Sequence, residues 1–170
     1  MSKNIQTRIE GFTIRFADEK DVGTIFDMIR ELAEYEKLLD GFEMSEERLK
    51  KSLFHGGVAE TLIGEYKQMP IGYAIFFHTF SSFAGRIGIY IEDIYVKLEM
   101  RGKGFGETMF AFIAKLAVER QCGRLEWSCL NWNTPSIAFY KKMGAAPLDD
   151  WMMYRLTGKK LSKIAREFQV

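Results

Sequence analysis

The chain has 170 residues, 47% apolar and 28% charged, with a net charge of +1. That is the composition of one compact globular domain, and a balance so close to neutral gives no global field to attract nucleic acid or an anionic membrane. Two cysteines, Cys122 and Cys129, make no disulfide framework. The polar start "MSKNIQTRIEGF" and the short apolar runs argue against a signal peptide or a membrane span. With His55 and His78 the only histidines, no metal-ligand spacing is present. The expectation is one cytoplasmic, metal-free domain over residues 1–170.

"FTIRFA", Phe12 to Ala17, alternates apolar and polar and predicts a strand. Asp18 is placed to cap a helix whose apolar stripe runs Val22, Ile25, Ile29, Leu32 and Ala33. Ser45 opens a second, short helix. Three β-rich runs follow, Val58 to Tyr66, Ile71 to Phe80 and Arg86 to Lys97. Met69–Pro70 and Ser81 to Gly85 are read as the turns, so neighbouring strands are antiparallel. Glu107 to Arg120 is an amphipathic helix with Met109, Phe112, Ile113, Leu116 and Ala117 on one face. "RLEWSCL", Arg124 to Leu130, is a strand. The next helix is capped by Asn133 and stopped by Gly144. Trp151 to Leu156 is read as a final strand and Leu161 to Phe168 as a basic helix. The order predicts an α+β domain with a mixed, mostly antiparallel sheet of six or seven strands flanked by helices.

"RGKGFG" puts Gly102, Gly104 and Gly106 between a strand and a helix. Glycine accepts positive φ and lets a ligand approach the backbone. Successive N–H groups in such a turn, at a helix N-terminus, form an anion nest, and Arg101 and Lys103 add charge suited to a diphosphate. The spacing is neither the GxGxxG of dinucleotide folds nor a P-loop. The strand before it carries adjacent carboxylates, Glu92 and Asp93. Alternation sends them to opposite faces unless a bulge intervenes, and burial of one would raise its pKa and suit it as a base.

"IEDIYV", "RGKGFG" and "NWNTPSIAFYKKMGA" together resemble the GNAT superfamily of acetyl-CoA-dependent N-acetyltransferases. The glycine loop fits the superfamily pattern R/Q-x-x-G-x-G/A at Arg101, Gly104 and Gly106. "IRELAEYEK" narrows the resemblance to the diamine (spermidine/spermine) N-acetyltransferase branch. The resemblance implies the GNAT fold, acetyl-CoA as co-substrate and no metal, a small amine as the other substrate, and a homodimer. It implies that backbone groups of Ile94, Tyr95 and Val96 pair with the pantetheine arm. Arg101, Gly102, Lys103, Gly104, Phe105, Gly106 and Glu107 would hold the diphosphate, and Asn133, Thr134, Pro135 and Ser136 would touch coenzyme A. Tyr140 matches the general acid.

An alkyl ammonium has a pKa near ~10.4 and must lose a proton before it attacks. Glu92 is the candidate base, acting through a water, with Asp93 as a charge partner for the cation. Tyr35, Glu36, Ser82, Glu126, Trp127 and Ser128 match positions around the acceptor. Ser82 and Ala84 depart from the acidic residue and Trp of the diamine branch, which opens the acceptor to thialysine-like amines. A non-catalytic acyl-CoA sensor and a protein Lys or N-terminal acetyltransferase are the alternatives.

Overall fold

A computed structural model describes residues 4–168. The chain packs as two compact units, one ending at Ser128 and one beginning at Cys129.

The first unit is built on a six-stranded sheet in the order β1 to β6: Ile5–Gln6, Phe12–Phe16, Glu60–Tyr66, Met69–Ser81, Arg86–Val96 and Leu125–Trp127. Neighbours from β1 to β5 are antiparallel, and β5 pairs with β6 in parallel. This is the mixed α+β architecture that the order of elements predicts. Helix α1, Val22–Tyr35, and α2, Glu46–Lys50, join one face of the sheet. There Val22, Ile25, Met28, Leu49 and Leu53 bury against Ile63, Tyr73, Ile75 and Tyr95. Helix α3, Phe105–Glu119, buries Phe105, Met109, Phe110, Ile113, Leu116 and Ala117. Phe110 takes a place assigned from periodicity to Phe112, which is only half-buried. Phe105 stacks on Phe12 and Tyr66, at 4.6 and 5.1 Å between ring centres. Each fully buried side chain of this size contributes about 1.5–3 kcal/mol.

The local signals act much as read. Asp18 accepts from the Lys20 N–H and caps a 3₁₀ turn, Glu19–Asp21, that leads into α1. Asp21 closes the capping box and is gripped by both terminal nitrogens of Arg15 at 2.7 Å, while Arg15 Nε reaches Glu65 at 2.9 Å. Burial alone would raise Asp21, but these donors hold it below the usual carboxylate range. Ser45 caps α2.

Three expectations are corrected. The β3–β4 turn is Lys67–Gln68, not Met69–Pro70, because Met69 already pairs with Tyr66. Both turn residues have positive φ, 49° and 68°, the two-residue geometry that matches strand twist. Trp151 to Leu156 is not a strand: it is irregular and exposed throughout, with no ladder to reward its β-prone side chains. The short β1 was not anticipated, since two residues carry no readable period.

The second unit holds α4, Thr134–Lys142, and α5, Gly158–Ala165. Asn133 caps α4 and Gly144, at φ 85°, follows its end. Among the described residues no helix is long and apolar enough to cross a membrane, and no group of three or more His, Cys, Asp or Glu is arranged to hold a metal ion.

The β4–β5 ladder leaves no room at Gly72, where an added Cβ would lie 2.5 Å from the Tyr95 carbonyl oxygen. Gly72→Ala is therefore expected to cost about 1–3 kcal/mol in urea unfolding. Gly41→Ala meets nothing within 4 Å and should change stability by less than ~0.5 kcal/mol.

Candidate active site

Strand β5 runs beside β4 from Arg86 to Val96, but its pairing with β6 stops at Ile91–Trp127. From Glu92 onward its other edge has no strand neighbour among the described residues. The β4–β5 register shifts where Ile75 opposes Asp93 and Phe76 opposes Ile91, so Glu92 is the extra residue of a bulge. Lys97 N–H donates to Ile71 O at 2.9 Å. Alternation from that pair turns the backbone groups of Tyr95 toward β4 and those of Ile94 and Val96 toward the open edge. Of the three residues assigned to an added strand, Ile94 and Val96 therefore present their amides. Tyr95 instead uses its phenol, which donates to Glu31 at 3.0 Å.

The strand leads into the glycine turn. Gly102 and Gly104 have φ of 77° and 82°, and an added Cβ at Gly102 would meet nothing within 4 Å. Gly104 caps α3 in the left-handed conformation without a side-chain cap. Thr108 N–H is the first of the helix to find an acceptor within it, Gly104 O at 2.9 Å. The amides of Phe105 and Gly106 precede that bond and point out of the helix end. An open cradle of backbone donors at a helix N-terminus fits the diphosphate of acetyl-CoA. Glu107 stands in the first turn of α3, and Lys103 lies exposed beside the turn. Arg101 does not point into the cradle. Its Nε donates to Val96 O at 3.0 Å, and its guanidinium carbon sits 4.4 Å from the ring centre of Tyr35 and 5.6 Å from that of Tyr95.

The carboxylates gather on the α1 face. Glu92, on the bulge, is exposed. Asp93 is the partly buried member of the pair and accepts from the fully buried Tyr73 hydroxyl at 3.1 Å. Burial pushes Asp93 up to about 6; the Tyr73 bond opposes this, and negative charge at Glu92 and Glu36 adds to the rise. Glu36, at the C-terminal cap of α1, is also raised by burial. Burial, then the charge on Asp93, pushes the Tyr73 phenol well above its ordinary value. Tyr35 lines a neighbouring cleft of about 290 Å³ with Glu31, Glu34, Tyr95, Leu98 and Glu99.

The remaining expected acceptor residues divide. Ser128 Oγ lies 2.6 Å from the Tyr90 hydroxyl, and Glu126 pairs with Arg124 at 2.8 Å. Trp127 does not join them: alternation turns it to the other face, where its ring meets Phe110 edge-on at 5.0 Å. Ser82 lies at the exposed β4–β5 tip, just past the last ladder pair and seven residues from Ile75, which opposes Asp93. That is about 20 Å, too far to share one small acceptor within a chain. In the second unit, Asn133 is buried and accepts from Ser136 N–H at 3.4 Å. Thr134 and Pro135 open α4, and Tyr140 stands half-buried two turns after the cap. Reading the sequence missed Tyr73 as the partner of Asp93. The signal was available, because Tyr73 and Asp93 sit at diagonal positions on the same face of adjacent strands, but it needed the register.

The sequence profile of the acetyltransferase (GNAT) family matches residues 25–145. The chain belongs to the GNAT family. It is an N-acetyltransferase, and the family draws its acetyl group from acetyl-CoA. Thialysine N-epsilon-acetyltransferase of Sus scrofa is 39% identical over 164 residues, covering 89% of this chain and 96% of that one. Spermidine/spermine N(1)-acetyltransferase-like protein 1 of Homo sapiens is 30% identical over 173 residues, covering 95% of this chain and 25% of its own length. These relatives agree with the resemblance to the diamine branch. An integron cassette protein from the V. cholerae mobile metagenome has the same fold, with a TM-score of 0.77 at 24% identity, over 93% of this chain and 99% of that one.

Because the native state holds the Asp93 proton more tightly than the unfolded chain, stability from this group is greatest below the ordinary carboxyl range. It is lost as pH rises through about 6. The rise in pKa corresponds to about 3 kcal/mol. Asp93→Asn should therefore gain about that much on the wild type between about pH 4 and about pH 8 in urea unfolding. A difference independent of pH would remove Asp93 as the buried acid.

Proposed function

We propose that the chain acetylates the primary amine of a small cationic acceptor, of the thialysine or polyamine type. What carries this reading is the convergence of Glu36, Glu92 and Asp93 beside an open strand edge that runs into a backbone cradle for a diphosphate. Above about pH 6 Asp93 is ionised, and the cluster favours a cation. The names of the thialysine and spermidine/spermine relatives support the same class. The family match runs across both compact units, which supports reading them as one acetyltransferase domain.

Acetyl-CoA supplies an acetyl group activated as a thioester. The chain's residues do the rest. Amides of the glycine turn, with Lys103, hold the diphosphate. Ile94 and Val96 align the pantetheine arm along β5, as an added strand would lie. Residues 133–136 contact coenzyme A. Asp93 and Glu36 anchor the ammonium. Glu92, exposed on its bulge, takes the amine proton through water. The Tyr140 hydroxyl returns a proton to the leaving sulfur.

A second reading of the base rests on one observation: Asp93, at about 6, stands nearer neutrality than an ordinary carboxyl and so suits proton transfer. Glu92→Gln and Asp93→Asn separate the two. The base variant should lose ~10²-fold or more in kcat with little change in amine KM, and the anchor variant should mainly raise KM. Tyr140→Phe should lower turnover by ~10²-fold or more while coenzyme A still binds. The assay is release of free coenzyme A with thialysine, spermidine and a Lys peptide. No release with any of them would leave the sensor reading, and release with the peptide alone would favour protein acetylation.

The proposal includes a homodimer. Phe80, Phe83 and Ile87 are exposed around the β4–β5 tip that carries Ser82. A second copy would bring Ser82 to an acceptor that its own chain leaves about 20 Å away. Sedimentation at micromolar concentration should give twice the chain mass.

A further inference from the structure

We infer that Arg101 is a positioning residue that couples the two substrate sites: occupancy of the open β5 edge orders the acceptor end of α1 through its guanidinium. The inference rests on the reading of that edge as the co-substrate strand. Arg101 belongs to the glycine-loop pattern, yet its side chain reaches back from the turn. One end of it bonds Val96 O at 3.0 Å, and that oxygen is one of the backbone groups the open edge presents. The face of its guanidinium covers Tyr35, with 4.4 Å from the central carbon to the ring centre. Tyr35 is the last residue of α1, and Glu36, which bears on Asp93, is the next.

Two other side chains tie β5 to the same helix. Tyr95 and Lys97 both bond Glu31, at 3.0 and 2.8 Å, one turn earlier in α1. Neither contact uses a backbone group of the open edge. Arg101 alone among these three ties touches both the edge and the helix. A carbonyl oxygen has two lone pairs, so an amide donor arriving along the edge shares Val96 O with Arg101 Nε. Sharing fixes the guanidinium, and through it the Tyr35 ring. The last turn of α1 continues into Lys37, at φ 60°, and relies on bonds such as Leu38 N–H to Ala33 O. It is therefore a short end whose order a single ring contact can shift. By reciprocity, a cation held at Glu36 then tightens co-substrate binding by the same factor.

Hydrogen exchange of the full chain, with and without coenzyme A, tests this. The reporters are the amides of Glu36, Lys37 and Leu38, which close the end of α1. In the wild type, saturating coenzyme A should slow their exchange about fivefold or more. Arg101→Met and Tyr35→Leu should abolish that slowing while calorimetry still records coenzyme A binding. Tyr35→Phe keeps the ring and should restore it. A wild-type end that does not respond, or one that responds equally in both disrupting variants, overturns the coupling. A flat coenzyme A titration of the wild type overturns the co-substrate reading itself, and the coupling with it.

Discussion

The arrangement of the candidate site depends on where β5 changes neighbours. It keeps β4 along its whole length and gives up β6 after Ile91. A backbone that loses a partner mid-strand leaves unpaired donors and acceptors, which a folded protein normally satisfies elsewhere. Here those groups belong to Ile94 and Val96, and one of them is already met by Arg101. The bulge at Glu92 lies at the same point, so the break in pairing and the re-aimed carboxylate share one local cause. The glycine turn follows within a few residues. Strand edge, carboxylates and anion cradle are thus consequences of a single stretch, residues 91–106.

Around that stretch, charge is graded by depth. Glu92 stands in solvent and Asp93 is sheltered, with Tyr73 beneath it and Glu36 opposite. The sheltered Asp93 carboxyl thereby holds its proton more tightly than an ordinary one, while its neighbour on the strand faces water. The Tyr73 hydroxyl keeps Asp93 from rising further, since its hydrogen bond favours the ionised form.

Much of this was legible in the residues. Glycine spacing, helix caps at Asp18, Ser45 and Asn133, and the apolar stripes are local features, and local physics decides them. The resemblance of three motifs also named the family. What escaped notice depends on register or on distant partners. The Lys67–Gln68 turn has none of the glycine or asparagine that normally marks positive φ. Trp127 reads as part of an acceptor wall until alternation and Phe110 claim it for the α3 face. Ser82 aligns with the branch by position, yet the ladder carries it far from Asp93. Trp151 to Leu156 has strand composition but no sheet edge to use it, and Arg101 looks like a phosphate ligand until its side chain is traced backward.

The contact at Gly72 has a mechanical consequence. With the Tyr95 carbonyl so close to where a Gly72 Cβ would stand, β4 and β5 are pressed together at the far end of the open edge, opposite Val96. That seam behaves like the spine of a book: it holds β4 and β5 at one fixed spacing, and any side chain added there would have to prise the pages apart.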